Sequence, residues 1–233
     1  MVQSHNKRNF PLPNGVHGTC IYHRHFGNCQ LGTKLCLYVK SSFKMSSRQL
    51  SCNCCIKLCN LLKEQKSLSQ DGLSIVKNIC EVKKLELANE EQDEKIFETL
   101  MSNLRNLTSK LLDIISELDD IVGKMNKITK KLKAIHDLSG VQSSECNDMD
   151  EDLVRLMSKF SEASQEIEQM YKADMKIKSG VAKEICILKF ETQLTFFELC
   201  WEYEPKINKE KIFSLLAPII FELKLQSTCL HLI

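Results

Sequence analysis

The residues best suited to chemistry sit near the N-terminus. His17, Cys20, His23, His25, Cys29 and Cys36 lie within one short stretch, and Cys52 and Cys55 form a CxxC pair further on. Imidazole and thiolate at such density could hold zinc. A structural zinc site needs two well-separated ligand pairs, however, and this spacing matches no standard finger. No metal site is therefore assigned. The chain holds twelve cysteines. With no continuous apolar core in the first twenty residues, no signal peptide is expected. Most thiols should then be reduced, several of them filling helical core positions as small hydrophobes. No catalytic constellation appears. There is no GxGxxG, no phosphate-binding loop, no HExxH and no nucleophile elbow. The chain is read as a non-enzyme with no cofactor. His136 is read as a surface histidine.

The elements that would position any site are long helices. Between Phe97 and Ile135 the apolar positions are Phe97, Leu100, Leu104, Leu107, Leu111, Ile114, Leu118, Ile121, Met125, Ile128, Leu132 and Ile135. They alternate by three and four, which is a heptad repeat. The stretch has no Pro and one Gly, so it predicts a single helix of roughly 58 Å at about 1.5 Å per residue. Leu dominates position a and Ile position d, a combination that favours three or four strands over a parallel pair. Met101, Ile115 and Val122 widen the face, which suits a bundle. The stripe must pack against other helices, in this chain or in a partner.

Charge is uneven. Residues 1–63 carry nine basic residues and no acid, whereas the remainder is net acidic. Direct nucleic-acid binding by the acidic body is not expected, and no apolar run approaches a membrane span. Residues 1–45 hold two of the four prolines and four of the six histidines. They read as a disordered tail or a spurious upstream extension with Met45 as the start; a transit peptide would need more Arg and Ser near its beginning.

The body reads as a three-helix coiled-coil region over residues 46–188. Its first helix begins near Ser51. Gly72 within it marks a kink or a close crossing, since it costs about 1 kcal/mol relative to Ala. Residues 88–94 form the connection or a solvated first turn of the second helix, and Ser139–Asp148 a loop. The third helix follows through Met149, Leu153, Leu156, Phe160, Ala163, Ile167, Met170, Ile177, Val181, Ile185 and Leu188, with Asp174 alone breaking its apolar seam. A lone seam acid specifies register, meets a basic partner, or turns to solvent. Residues 189–225 form an aromatic helical region around Trp201, read as a cap on the bundle or a partner-docking face. Pro205 stops one helix, Asn208 caps the next, and that short helix should end near Pro218. Residues 226–233 are a tail. The fold class is thus all-α: long helices with heptad seams forming an antiparallel bundle or coiled coil, completed by a partner subunit.

Four blocks carry a family resemblance. Met170-Tyr171-Lys172 followed by Lys178-Ser-Gly-Val181-Ala182-Lys183-Glu184-Ile185 closely resembles the signature helix of the cyclin-dependent kinase 2-interacting protein family. Trp201-x3-Pro205-x-Ile207 is similar to that family's Trp, Pro and aliphatic positions. Leu68-x3-Gly72-Leu73 with Asn78, Ile79 and Lys83 resembles its first helix, and Leu118-Asp119-x-Ile121 with Lys124 its central coiled coil. Two family tryptophans appear here as Leu58 and Gln65. The resemblance implies a nuclear, non-catalytic adaptor, with cytoplasmic residence also compatible. Its implied partners are cyclin-dependent and replication kinases, the ATR-interacting protein, a helical partner subunit and AAA-ATPases. The implied settings are DNA replication, cell division, DNA-damage repair and 60S ribosome maturation. Candidate partner contacts are Leu104, Leu111, Leu118 and Met125 on the seam, then Met170, Tyr171, Val181, Ala182, Lys183 and Glu184, then Trp201 and Pro205. The competing reading is a coiled-coil tether. No Ser-Pro or Thr-Pro occurs, and Arg48-x-Leu50 resembles a cyclin-docking motif too short to carry weight.

Overall fold

The structure is a computed structural model that describes residues 30–88, 94–145 and 151–225, with side chains from 47 onward except 139–145. Residues 1–29 and 226–233, and with them most of the expected N-terminal and C-terminal tails and the histidine-rich cluster, lie outside the described residues. The chain divides into two compact units, Met1–Val39 and Lys40–Ile233. Of the first, the described part is the opening of a helix. The second is the bundle set out below.

All described secondary structure is helical. α1 runs Gln30–Ala88, α2 Glu94–Glu145 and α3 Glu151–Glu184; a 3-10 turn at Ile185–Ile187 leads to α4, Glu191–Tyr203, and α5, Lys209–Glu222. α1 starts well before Ser51, because residues 33–50 contain no Pro or Gly to stop it. α2 continues through Gly140 to Glu145, where a loop was expected. Extending a helix adds one hydrogen bond per residue, which a lone glycine does not reverse.

Contacts between helices fix the topology. Ser51 and Lys178 Nζ on α1 and α3 mark two levels: the Ser51 hydroxyl donates to Met157 Sδ at 2.8 Å, and Lys178 donates to Ser69 Oγ at 2.8 Å. α1 and α3 therefore run parallel. On α2 the order reverses, since Thr129 hydrogen-bonds Ser164 at 2.9 Å and Thr108 meets Cys186 Sγ at 2.8 Å. The three long helices form an up-down-up bundle with α2 packed extensively on α3. The seam of α2 is buried within it: Leu104, Leu111, Leu118, Ile121, Met125, Ile128, Leu132 and Ile135 all lie in the core, and Phe97 alone of the twelve is exposed.

α4 and α5 together make a fourth, broken column. Cys80 Sγ donates to the Leu194 carbonyl, and Trp201 Nε1 to the Ser69 carbonyl, so α4 descends along α1. α5 continues the descent: Lys211 pairs with Glu166 of α3, and Arg48 of α1 donates to the Glu222 carbonyl at 2.9 Å. This region runs along the side of the bundle instead of capping its end. The break falls at Glu204, which adopts the left-handed conformation (φ 46°) directly before Pro205. Asn208 caps α5 as expected, its side chain accepting from Lys211 N at 2.9 Å. α5 does not end at Pro218 but passes through it to Glu222. Ile219, Ile220 and Leu223 are buried beyond the proline, and their burial outweighs the one backbone bond it removes. Among the described residues no helix is long and apolar enough to cross a membrane.

Candidate functional site

The point where four elements meet is a buried polar cluster around Lys178 of α3. Asp174 and Lys178 are one helical turn apart and therefore share a face. Lys178 is fully buried, and its ammonium lies 2.8 Å from Asp174 Oδ2 and 2.8 Å from Glu204 Oε1. It also donates to Ser69 Oγ, and that hydroxyl in turn donates to Glu204 Oε1 at 2.7 Å. The same ammonium sits 5.5 Å from the centre of the Trp201 ring, within cation–π range. Trp201 is held by its own bond to the Ser69 carbonyl, 2.9 Å. Lys209 approaches Glu204 Oε2 at 3.4 Å from the solvent side.

One buried ammonium thus serves two buried carboxylates, and it does so unequally. Glu204 is embraced. Burial alone would raise its pKa, but the Lys178 charge and hydrogen bond, the Ser69 hydroxyl and Lys209 together hold it below the ordinary carboxylate range. Asp174 is not. Its Oδ2 pairs with the ammonium, but Oδ1 has no hydrogen-bond partner. Burial therefore dominates and raises the Asp174 pKa despite Lys178. Glu204 makes these contacts from a left-handed backbone (φ 46°), a conformation that costs a non-glycine residue roughly 1–2 kcal/mol.

Gly72 makes the node possible. A Cβ at this position would overlap Trp201 Cζ2 and stand 3.2 Å from Ile114 Cγ2. The glycine expected to mark a crossing is where the indole ring lies flush against α1. Gly123 and Gly180 have no atom within 4 Å of such a Cβ.

The residues expected to meet a partner fall into three groups. Leu104, Leu111, Leu118 and Met125 are core residues of this chain, closed off by its own helices. Tyr171, Val181, Ala182 and Trp201 are likewise buried, with burial pushing the Tyr171 phenol well up. Met170 is half-buried, while Lys183, Glu184 and Pro205 face solvent. Leu58 and Gln65 are buried in α1. A heptad seam demands cover but does not say whether a partner or the same chain supplies it, so the sequence could not separate these cases. Ser69 and Glu204 escaped the sequence reading altogether. The available signals were the i, i+4 spacing of Asp174 and Lys178 and an acid placed just before Pro205.

The aromatic cluster of α4 divides. Leu194 and Trp201 point into the bundle and Phe197 is half-buried, while Phe190, Phe196, Leu199 and Tyr203 are exposed. At the upper end of α4 a cavity of about 350 Å³ is lined by Glu184, Leu188, Thr192, Gln193, Phe196 and Phe197. Among the described residues no three His, Cys, Asp or Glu side chains come together as metal ligands. Cys54, Cys55 and Cys59 pack in the core, and Cys52 is half-buried beside the Leu223 carbonyl. No protein-family model matches the chain, and no curated protein compared with it does either.

Proposed function

We propose that the chain is a non-catalytic helical adaptor subunit of the kind the cyclin-dependent kinase 2-interacting protein resemblance implies. In this reading it joins a helical partner subunit and AAA-ATPases in work on the replisome and the maturing 60S ribosome. It also links replication and cell-cycle kinases to checkpoint signalling through the ATR-interacting protein, and it resides in the nucleus. The observation that supports the reading is spatial. Blocks far apart in the chain, singled out for their resemblance, meet at one node: Gly72 lies under Trp201, Lys178 sits over the same ring, and Glu204 beside Pro205 receives the ammonium. With the α2 seam occupied internally, the adaptor contacts belong to outer faces of the folded bundle, not to an open heptad stripe.

The test is the mass of the full chain by light scattering, alone and then mixed with the family's helical partner subunit and ATPases. A folded chain that enters a complex of defined stoichiometry is the expected result. A stable homo-oligomer that ignores both would overturn the adaptor reading in favour of a tether.

A further inference from the structure

α4 presents a stripe that the described residues leave uncovered. Phe196, Leu199 and Tyr203 follow one another at i, i+3 and i+7, and they are 61%, 43% and 72% exposed. Thr192 continues the line one turn earlier, beside the cavity under Phe196 and Phe197. An apolar row ending in a concavity is the form in which an amphipathic helix is received, with an anchor side chain seated in the hollow.

Charge selects the occupant. From Glu191 to Tyr203, α4 carries Glu191, Glu198 and Glu202 and no basic residue. By helical geometry these acids lie together on one side of α4, between the stripe and the buried face that carries Leu194 and Trp201. Glu184 adds a carboxylate at the lip of the cavity. Lys77 of α1 stands 3.9 Å from Glu198 and 3.7 Å from Glu202, so its single charge is shared between two carboxylates. The α4 of a second copy would bring no cation to this flank. Anionic lipid or nucleic acid would be repelled by it.

We infer that the exposed face of α4 docks a basic amphipathic helix of a partner protein, its apolar face on Phe196, Leu199 and Tyr203 and its Lys or Arg residues beside Glu191, Glu198 and Glu202. This deepens the adaptor reading by giving the partner's chemistry, and it rests on that reading.

The probe is a fluorescein-labelled Leu/Lys peptide of about 18 residues, long enough to overlay α4 at about 1.5 Å per residue, with a Leu/Glu peptide of the same pattern as control. Anisotropy with the full chain should show saturable Leu/Lys binding, about tenfold or more tighter than Leu/Glu and weakened by salt. Phe196→Asp with Leu199→Asp should abolish it while leaving helix content unchanged, since both side chains are exposed. Lys77→Ala, which frees two carboxylates, should tighten it by roughly threefold. Equal affinity for both peptides, or Leu/Lys binding that survives the double substitution, overturns the inference. A concentration-dependent dimer of the free chain, dissolved by the same substitutions, assigns the stripe to a second copy and overturns it too. If the light-scattering complex forms but the peptides are not discriminated, the docking face alone fails. If discrimination holds but no complex forms, the adaptor reading alone fails.

Discussion

Replacing Lys178 with Met keeps the volume of the side chain and removes the charge that pairs with Asp174 and, together with Lys209, with Glu204. Asp174 is 1% exposed and Glu204 10% by side chain, so water cannot replace the lost partner. Glu204 keeps only the Ser69 hydroxyl and the more distant Lys209, and the main escape for either carboxylate is to bind a proton. At neutral pH that costs about 4 kcal/mol for a group with an ordinary pKa near 4, at 1.36 kcal/mol per unit. Removing one partner of a buried pair costs about 3–5 kcal/mol by a separate route. Burial already holds the Asp174 pKa up, so protonating it costs less than protonating Glu204, where most of the new penalty falls. A loss of about 4 kcal/mol is expected, a large part of the typical 5–15 kcal/mol total. Urea unfolding followed by helix ellipticity and by Trp201, the only tryptophan, gives the measurement. Two features mark the mechanism. The deficit should shrink as pH falls toward the carboxylate range, because the proton then takes the place of the ammonium. The triple variant Asp174→Asn, Lys178→Met, Glu204→Gln should recover much of the loss, since it leaves no buried charge. A Lys178→Met cost under about 1 kcal/mol, or a larger cost that does not change with pH, would refute the reasoning.

The same glycine-to-alanine change should have opposite signs at different sites. Gly123→Ala and Gly180→Ala meet open space and should each stabilise by up to about 1 kcal/mol, whereas Gly72→Ala collides with Trp201 and should destabilise by about 1–3 kcal/mol, all read from denaturant midpoints. The two carboxylates should respond oppositely to pH. Glu204, held low, contributes stability that is present above its unfolded pKa and lost as pH falls through its folded value; Asp174, held high, costs stability above its folded value and ceases to as it protonates. Stability curves against pH should therefore show Glu204→Gln flattening the acid side and Asp174→Asn gaining on the wild type as pH rises. Cys80, buried and bonded to the Leu194 carbonyl, has its thiol pushed up to about 11 by burial and the nearby Glu198, so native-state alkylation followed by mass mapping should find it modified after the half-buried Cys200. Leu111→Asp with Leu118→Asp should abolish helix ellipticity of the chain itself, because both positions are in its core.

Much of the fold was legible because helical periodicity is a local property. The heptad of Phe97–Ile135, the seam of α3 and the Asn208 cap each need only residues a few positions apart, and each appears where the spacing puts it. Helix ends were less legible. Gly140 and Pro218 are breakers by propensity, yet both sit inside helices, since propagation overrides a glycine and buried Ile219 and Ile220 override a proline.

What the sequence by itself determined is the material: long amphipathic helices, seams that had to be covered, an acid in the seam of α3 and a glycine marking a kink or a close crossing. What only the tertiary structure decided is who answers each demand. The cover for α2 comes from the same chain, the counter-charge for Asp174 and Glu204 is Lys178, and the object against Gly72 is Trp201. The physical reason is range. Hydrophobic patterning is set within a turn or two of helix, whereas Glu204 reaches Lys178 across 26 positions and Ser69 reaches it across 109, and the chain must fold back on itself before those partners meet.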